Sequence, residues 1–257
     1  MPTGSDGAPL QDWGGRQGLG QVCVAVETAD GLTGFGVCGG GEPGILIIEQ
    51  VLRPLLLGAG AENVEELWEE MNSATLPYGR KGLAVMALSG IDIALWDLRA
   101  RRKGVPVGVV LGGSEDALCK ELPSYKTLAF PGRLPLPIDA TDAVAEGYRG
   151  VKLAIGGLDV RLETDKIVEL VRGVREAIGD DVELMADAAM GAQRTLGWGD
   201  REAVLALCKQ LEPYNLAWLE EPLPCDDLES YAWLIARTCI PIAAGEHEFT
   251  AKGFQEL

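Results

Sequence analysis

The chain has 257 residues, 47% of them hydrophobic, which is enough for a substantial core in one large domain or two smaller ones. Its 22 basic and 39 acidic residues give a formal charge of −17, which disfavours nucleic acid and anionic membranes as partners. It contains neither a run of about 18 apolar residues nor a basic start leading into an apolar stretch, so no membrane span and no secretory leader are expected, and the location expected is cytoplasmic.

The six cysteines, Cys23, Cys38, Cys119, Cys208, Cys225 and Cys239, form no CxxC pair, and His247 is the single histidine. A Cys/His zinc centre is therefore disfavoured, and reduced thiols are expected.

In chain order, residues 21–38, "QVCVAVETADGLTGFGVC", alternate apolar and polar around "ADG" and predict a β-hairpin. Helices are predicted near 44–57 and in "NVEELWEEMNSAT". A longer one lies in "GLAVMALSGIDIALWDLRARRKG", where Leu83, Met86, Ala87, Ile91, Ala94, Leu95 and Leu98 recur at three and four. Arg99, Arg101, Arg102 and Lys103 crowd its end and Gly104 stops it. "VPVGVVLGGSEDALCKEL" reads as a connection.

From about residue 121 the rhythm changes. Strands are predicted in "LPSYKTL", "GVKLAI", "VELMAD", "LAWLEE" and "PIAAGE". Between them lie helices near 139–148 and in "ETDKIVELVRGVREAIG", "DREAVLALCKQLEP" and "DLESYAWLIART", with another beginning at "FTAKGFQEL". Such alternation argues for parallel βα units. Five strands suit part of a (β/α) barrel, which takes about eight, or an open doubly wound sheet. No GxGxxG turn follows a strand, so nothing favours a dinucleotide site.

Three consecutive strands end in acid: Asp187, Glu220 with Glu221, and Glu246. Each interval is one βα repeat, which places these carboxylates side by side at the C-terminal ends of the strands, where parallel α/β folds bind ligands. One acid there could equally be a helix cap or a surface ion-pair member. Three that converge repel one another and call for a cation, and without a Cys/His cluster a hard ion with oxygen ligands, Mg²⁺, fits best. Strand parity puts Trp218 and Glu220 on one face, so Glu220 is assigned to the metal and Glu221 to a neighbouring cation. Lys152, one repeat upstream, reaches the same mouth and shares its face with Ala154.

The segments "VETADGLTGFG", "ALSGIDIALWDL", "GVPVGVVLGG", "VREAIGDDVELMADAAM", "WLEEPLP" and "PIAAGEHEFT" together resemble the enolase superfamily, in its mandelate racemase and muconate lactonizing branch. The resemblance implies an α+β capping domain over residues 1–120 and a (β/α)₇β barrel over 121–257, expected here to be truncated after about five strands. It implies Mg²⁺ on Asp187, Glu220 and Glu246, and chemistry that begins by removing the proton α to a carboxylate. Within the branch, "EPGILIIEQVL", "LPYGRKGLAVMALSGIDIALWDL", "LEPYNLAWLEEPLP" and "GEHEFT" are most similar to the rhamnonate group of acid-sugar dehydratases.

Many branch members carry Lys-x-Lys on the second barrel strand; Lys152 matches the first lysine and Ala154 stands at the second. Alanine takes no proton, which disfavours a two-base racemase and leaves a one-base dehydratase. In the resembling enzymes that base is a histidine on the seventh strand held by an aspartate on the sixth, both expected beyond this chain. Lys152 is then expected to act electrostatically on a substrate carboxylate, the alternative being a lysine whose stem packs against the barrel and whose head pairs with Asp187. His247, turned away from Glu246 by parity, is expected to be structural or to support the ligands from behind, with some substrate contact. "DAAM" departs from the branch's more usual Asp-Ala-Asn at Ala189. Loops near Trp13 to Gly20 and Leu76 to Lys81 are expected to set substrate choice. The implied activity is dehydration of a sugar acid to a 2-keto-3-deoxy acid by a protein that is a homo-oligomer at full length. The alternatives are a non-catalytic fragment or pseudoenzyme that keeps the fold and metal site, and another lyase or isomerase of the superfamily.

Overall fold

The computed structural model describes residues 19–114, 122–129, 133–189 and 197–257. The chain divides into two compact units, Met1–Lys120 and Glu121–Leu257.

In the first unit, β1 (Val22–Glu27) and β2 (Thr33–Cys38) pair antiparallel, with Val22 opposite Cys38 and Val26 opposite Gly34. The predicted alternation is realised: Val22, Val24, Gly34, Gly36 and Cys38 are buried, while Cys23, Ala25, Phe35 and Val37 are exposed. The buried face lies on α4 (Leu83–Lys103) at backbone distance. A Cβ on Gly36 would sit 2.0 Å from the Gly90 carbonyl oxygen, and one on Gly34 would sit 2.1 Å from that of Ala94. Glycine is thus required on this face by close approach.

Before α4, helix runs through α1 (Gly41–Ile47), a π-helical turn at Ile48–Leu52 and α2 (Arg53–Leu56), and resumes in α3 (Val64–Thr75). Leu52, Val64, Met71, Leu88, Ile91 and Leu95 form the core. Gly104 ends α4 in the left-handed region at φ 67°. The stretch expected as a plain connection contains one further helical turn, α5 (Val107–Val110).

The second unit is a parallel sheet in the order β3 (Tyr125–Leu128), β4 (Gly150–Ala154), β5 (Glu183–Asp187), β6 (Trp218–Glu220) and β7 (Ile242–Ala243). The helices are α6 (Pro137–Ala145), α7 (Thr164–Ile178), α8 (Arg201–Leu211), α9 (Leu228–Ile235) and α10 (Thr250–Glu256). Val151, Leu153, Leu184, Ala186 and Leu219 share a core with Ile167, Val171, Val204, Leu207 and Leu234 of the helices. Asp200 caps α8 by accepting from the Ala203 N–H, and Asp227 caps α9 by accepting from that of Ser230.

The opposite face of the sheet carries Tyr125, Lys152, Asp187, Trp218 and Glu220, with Ala154 opposite Asp187 and Asp187 opposite Glu220. This face is concave. Tyr125 and Trp218 stand three strands apart, about 14 Å in a flat sheet, yet their ring centroids lie 5.5 Å apart, edge to face.

One strand is shorter than expected. β7 ends at Ala243, and Gly245 at φ 126° turns the chain, so Glu246 and His247 lie beyond the strand. The parity argument that turned His247 away from Glu246 therefore does not apply.

Candidate metal centre

Asp187 and Glu220 are the last residues of β5 and β6. The backbone pairing continues one residue past them: the Ile155 N–H donates to the Asp187 carbonyl at 2.8 Å, Ala188 to Glu220 at 2.9 Å, and Glu221 to Ala243 at 2.9 Å. These bonds hold the strand-end loops in register around the carboxylates.

Each carboxylate is also oriented by a neighbour. Asp187 Oδ1 accepts from the Ala189 N–H at 2.7 Å, which curls the chain back with Ala189 at φ 45°. That is a left-handed conformation of modest cost for alanine. Gly156 lies against this turn, where a Cβ would stand 2.2 Å from the Ala188 carbonyl oxygen. Glu220 Oε2 accepts from Trp218 Nε1 at 3.0 Å, across the shared face that parity predicted.

Lys152 lies between the two acids. It is 7% exposed, and its Nζ is 2.9 Å from Asp187 Oδ2 and 2.8 Å from Glu220 Oε2. The Tyr125 ring centroid is 5.7 Å from the same nitrogen. Burial acts to lower the lysine pKa, but the hydrogen bonds and charges of Asp187 and Glu220 outweigh it and hold the ammonium above its ordinary value. Lys152 is therefore a fixed cation.

Glu246 stands beside this group from the turn after β7. Burial raises its carboxyl above the usual value first, and the charges of Glu221, Asp187 and Glu220 add to the effect. The charges of Asp187 and Glu220 thus bear on Glu246, although these three acids are not a group whose ligand atoms gather within 4.8 Å among the described residues. Their donors are all hard oxygens, and Lys152 contacts two of the three. That donor set fits a hard divalent cation.

A tighter grouping overlaps it. Ligand atoms of Glu221, Glu246 and His247 lie within 4.8 Å of one another. Glu221 is 1% exposed and holds φ 42°. His247 Nδ1 lies 2.8 Å from its Oε2 and 3.1 Å from its Oε1. A carboxylate accepts only, so Nδ1 carries the hydrogen. His247 Nδ1 is also 3.8 Å from Glu246 Oε1. The sequence assigns Glu221 to a neighbouring cation and His247 to a structural role, and nothing in "WLEEPLP" or "GEHEFT" fixes the link between them. Of the residues expected to set substrate choice, Trp13 to Gly18 lie outside the described residues.

The Mandelate racemase / muconate lactonizing enzyme, N-terminal domain model matches residues 13–112, and the Enolase C-terminal domain-like model matches residues 137–257. L-rhamnonate dehydratase of Saccharopolyspora erythraea is 36% identical over 247 residues, covering 93% of this chain and 57% of that protein. A racemase from Streptomyces coelicolor A3(2), solved with bound magnesium, superposes with TM-score 0.80 at 32% identity over 92% of this chain and 64% of that one. Rhamnonate dehydratase from Gibberella zeae, complexed with Mg, superposes with TM-score 0.78 at 31% identity over 93% of this chain and 55% of that one. The chain spans about half the length of the curated relatives it matches, 56% and 57%. Matched in order by both domain models of the branch, and with its α+β unit preceding a curled parallel sheet, the chain belongs to the mandelate racemase and muconate lactonizing branch of the enolase superfamily.

Proposed function

We propose that this protein is a Mg²⁺-dependent sugar-acid dehydratase of the rhamnonate type, and that this chain supplies the part of its site that holds the metal and the substrate carboxylate. The observation that carries the reading is the meeting of Lys152, Asp187 and Glu220 on one concave face, with Glu246 beside them. Likeness to the L-rhamnonate dehydratase of S. erythraea and to the G. zeae enzyme supports the substrate class.

Asp187, Glu220 and Glu246 would hold the ion. Bound there, Mg²⁺ would neutralise the clustered carboxylates and lend Lewis acidity toward a substrate oxygen. The chain's own residues do the rest of the positioning. The Ala189 N–H and Trp218 Nε1 aim the two strand-end carboxylates. Lys152, held protonated, draws an anionic carboxylate and stabilises charge that develops next to it. For the same reason Lys152 is a poor base, and Ala154 across from Asp187 offers none. The proton on the carbon α to the carboxylate therefore goes to neither residue of this strand.

The test is binding and turnover with the purified chain and a panel of six-carbon sugar acids that includes L-rhamnonate. The expected result is L-rhamnonate binding that requires Mg²⁺ and is lost in Glu220→Gln, without accumulation of a 2-keto-3-deoxy acid. Mg²⁺-independent binding would contradict the metal's role. Turnover by this chain that disappears in Lys152→Ala would make Lys152 the base and overturn its assignment.

A further inference from the structure

Asp187 and Glu220 are already served by a cation of the protein's own. Both oxygens of Asp187 are engaged, Oδ1 by the Ala189 N–H and Oδ2 by Lys152 Nζ at 2.9 Å. Glu220 Oε2 accepts from Lys152 at 2.8 Å and from Trp218 Nε1 at 3.0 Å. The oxygens that face the space between the two acids are thus the ones that hold the ammonium. Lys152 has little room to leave unnoticed, being 7% exposed and seated against the Tyr125 ring.

We infer that Lys152 is an internal counter-cation that competes with the divalent ion for Asp187 and Glu220, so that the ion binds only as Lys152 gives up at least one of its two contacts. The inference rests on the metal assignment proposed above. Mg²⁺ demands near-octahedral oxygen ligation at about 2.0–2.1 Å, and an ammonium on the same oxygens both repels the ion and occupies its donors. The lysine's charge also offsets the repulsion between the two convergent carboxylates. Affinity for the ion is then set by the difference between two cations on one pair of acids, not by the acids alone.

The competition is read by titrating Mg²⁺ into the 257-residue chain by calorimetry at fixed ionic strength near neutral pH. Lys152→Met keeps much of the side chain's length and removes its charge. It is expected to bind Mg²⁺ about tenfold more tightly than wild type or better, and to gain more in melting temperature on saturation with the ion. Lys152→Arg keeps a cation that grips two carboxylates as a fork, and is expected to bind Mg²⁺ more weakly. Affinity in Lys152→Met equal to or below wild type overturns the inference while leaving the metal site standing. Absence of Mg²⁺ binding by the wild-type chain overturns the metal assignment and the inference together. Should Lys152→Met fold only with Mg²⁺ present, the ion has taken over the lysine's task, as the inference requires. Should it not fold in either condition, Lys152→Arg decides, and unchanged or tighter Mg²⁺ binding there overturns the inference.

Discussion

Glu246 differs from the other two carboxylates in having no lysine contact among the described residues and in lying beyond the end of its strand. Its carboxyl is held above the ordinary glutamate value by burial and by the charges of Glu221, Asp187 and Glu220. A raised acid stays protonated at a pH where a free glutamate is already ionised, and a divalent ion needs it ionised. Mg²⁺ affinity should therefore fall as the pH is lowered through that raised range, with protons released on binding. Calorimetry in two buffers of different ionisation enthalpy measures both, and an affinity unchanged down to pH 4.5, the ordinary glutamate value, would contradict the account. The positions of Asp187 and Glu220 were legible in the sequence, because each closes a strand and one βα repeat separates them. The link between Glu221 and His247 was not. Parity holds only while a strand continues, and the turn at Gly245 cancels it. The double contact of Lys152 was half legible: spacing brought it to the mouth, but its reach across β5 to Glu220 depends on the curl of the sheet.

Among the elements, the hairpin and α4 depend on each other through two glycines. Gly36→Ala would press a Cβ to 2.0 Å from the Gly90 carbonyl oxygen, where only backbone could give way. A loss of about 3 kcal/mol is expected, the upper end for overpacking, measured by chemical denaturation of the first unit. A loss below about 1 kcal/mol would show that the hairpin shifts freely on α4. In the second unit, Arg175 ties α7 to its surroundings by donating to the carbonyls of Tyr214, Gly179, Val182 and Asn215. Arg175→Met should cost about 2–3 kcal/mol, because a charged donor is lost and several carbonyls lose their partner. A melt unchanged by that substitution would show that water replaces the arginine. Alternation marked the hairpin and the three-four spacing marked α4 in the sequence. The turn α5 was not visible, because "VPVGVV" has no helical period and its local form follows from Pro106 at the N-cap. The π-helical turn at Ile48–Leu52 was hidden likewise, since apolar residues on several sides of that helix blur its phase.

For the molecule as a whole, the order of strands and helices was plain in the sequence, whereas the curl of the sheet was not. Local patterns say that βα units follow one another; they do not say whether the sheet stays open or rolls. Only the resemblance to a family pointed to a barrel, and the Tyr125–Trp218 contact supplies the physical sign of curvature. Among the described residues, β3 and β7 are the outer strands, and Phe254, Leu257 and Ile235 expose apolar side chains in the same unit. Such edges recruit further strands. The chain should therefore associate as its concentration rises, seen by light scattering, and a sharp reversible melt of a monomer at high concentration would contradict that.

The most direct measurement of the central claim is Mg²⁺ titration of Asp187→Asn, Glu220→Gln, Glu246→Gln and Glu221→Gln beside the wild-type chain. The account predicts that the first three lose binding and that Glu221→Gln retains it. Binding kept in Asp187→Asn and Glu220→Gln but lost in Glu221→Gln and His247→Ala would contradict it and move the ion to Glu221, Glu246 and His247.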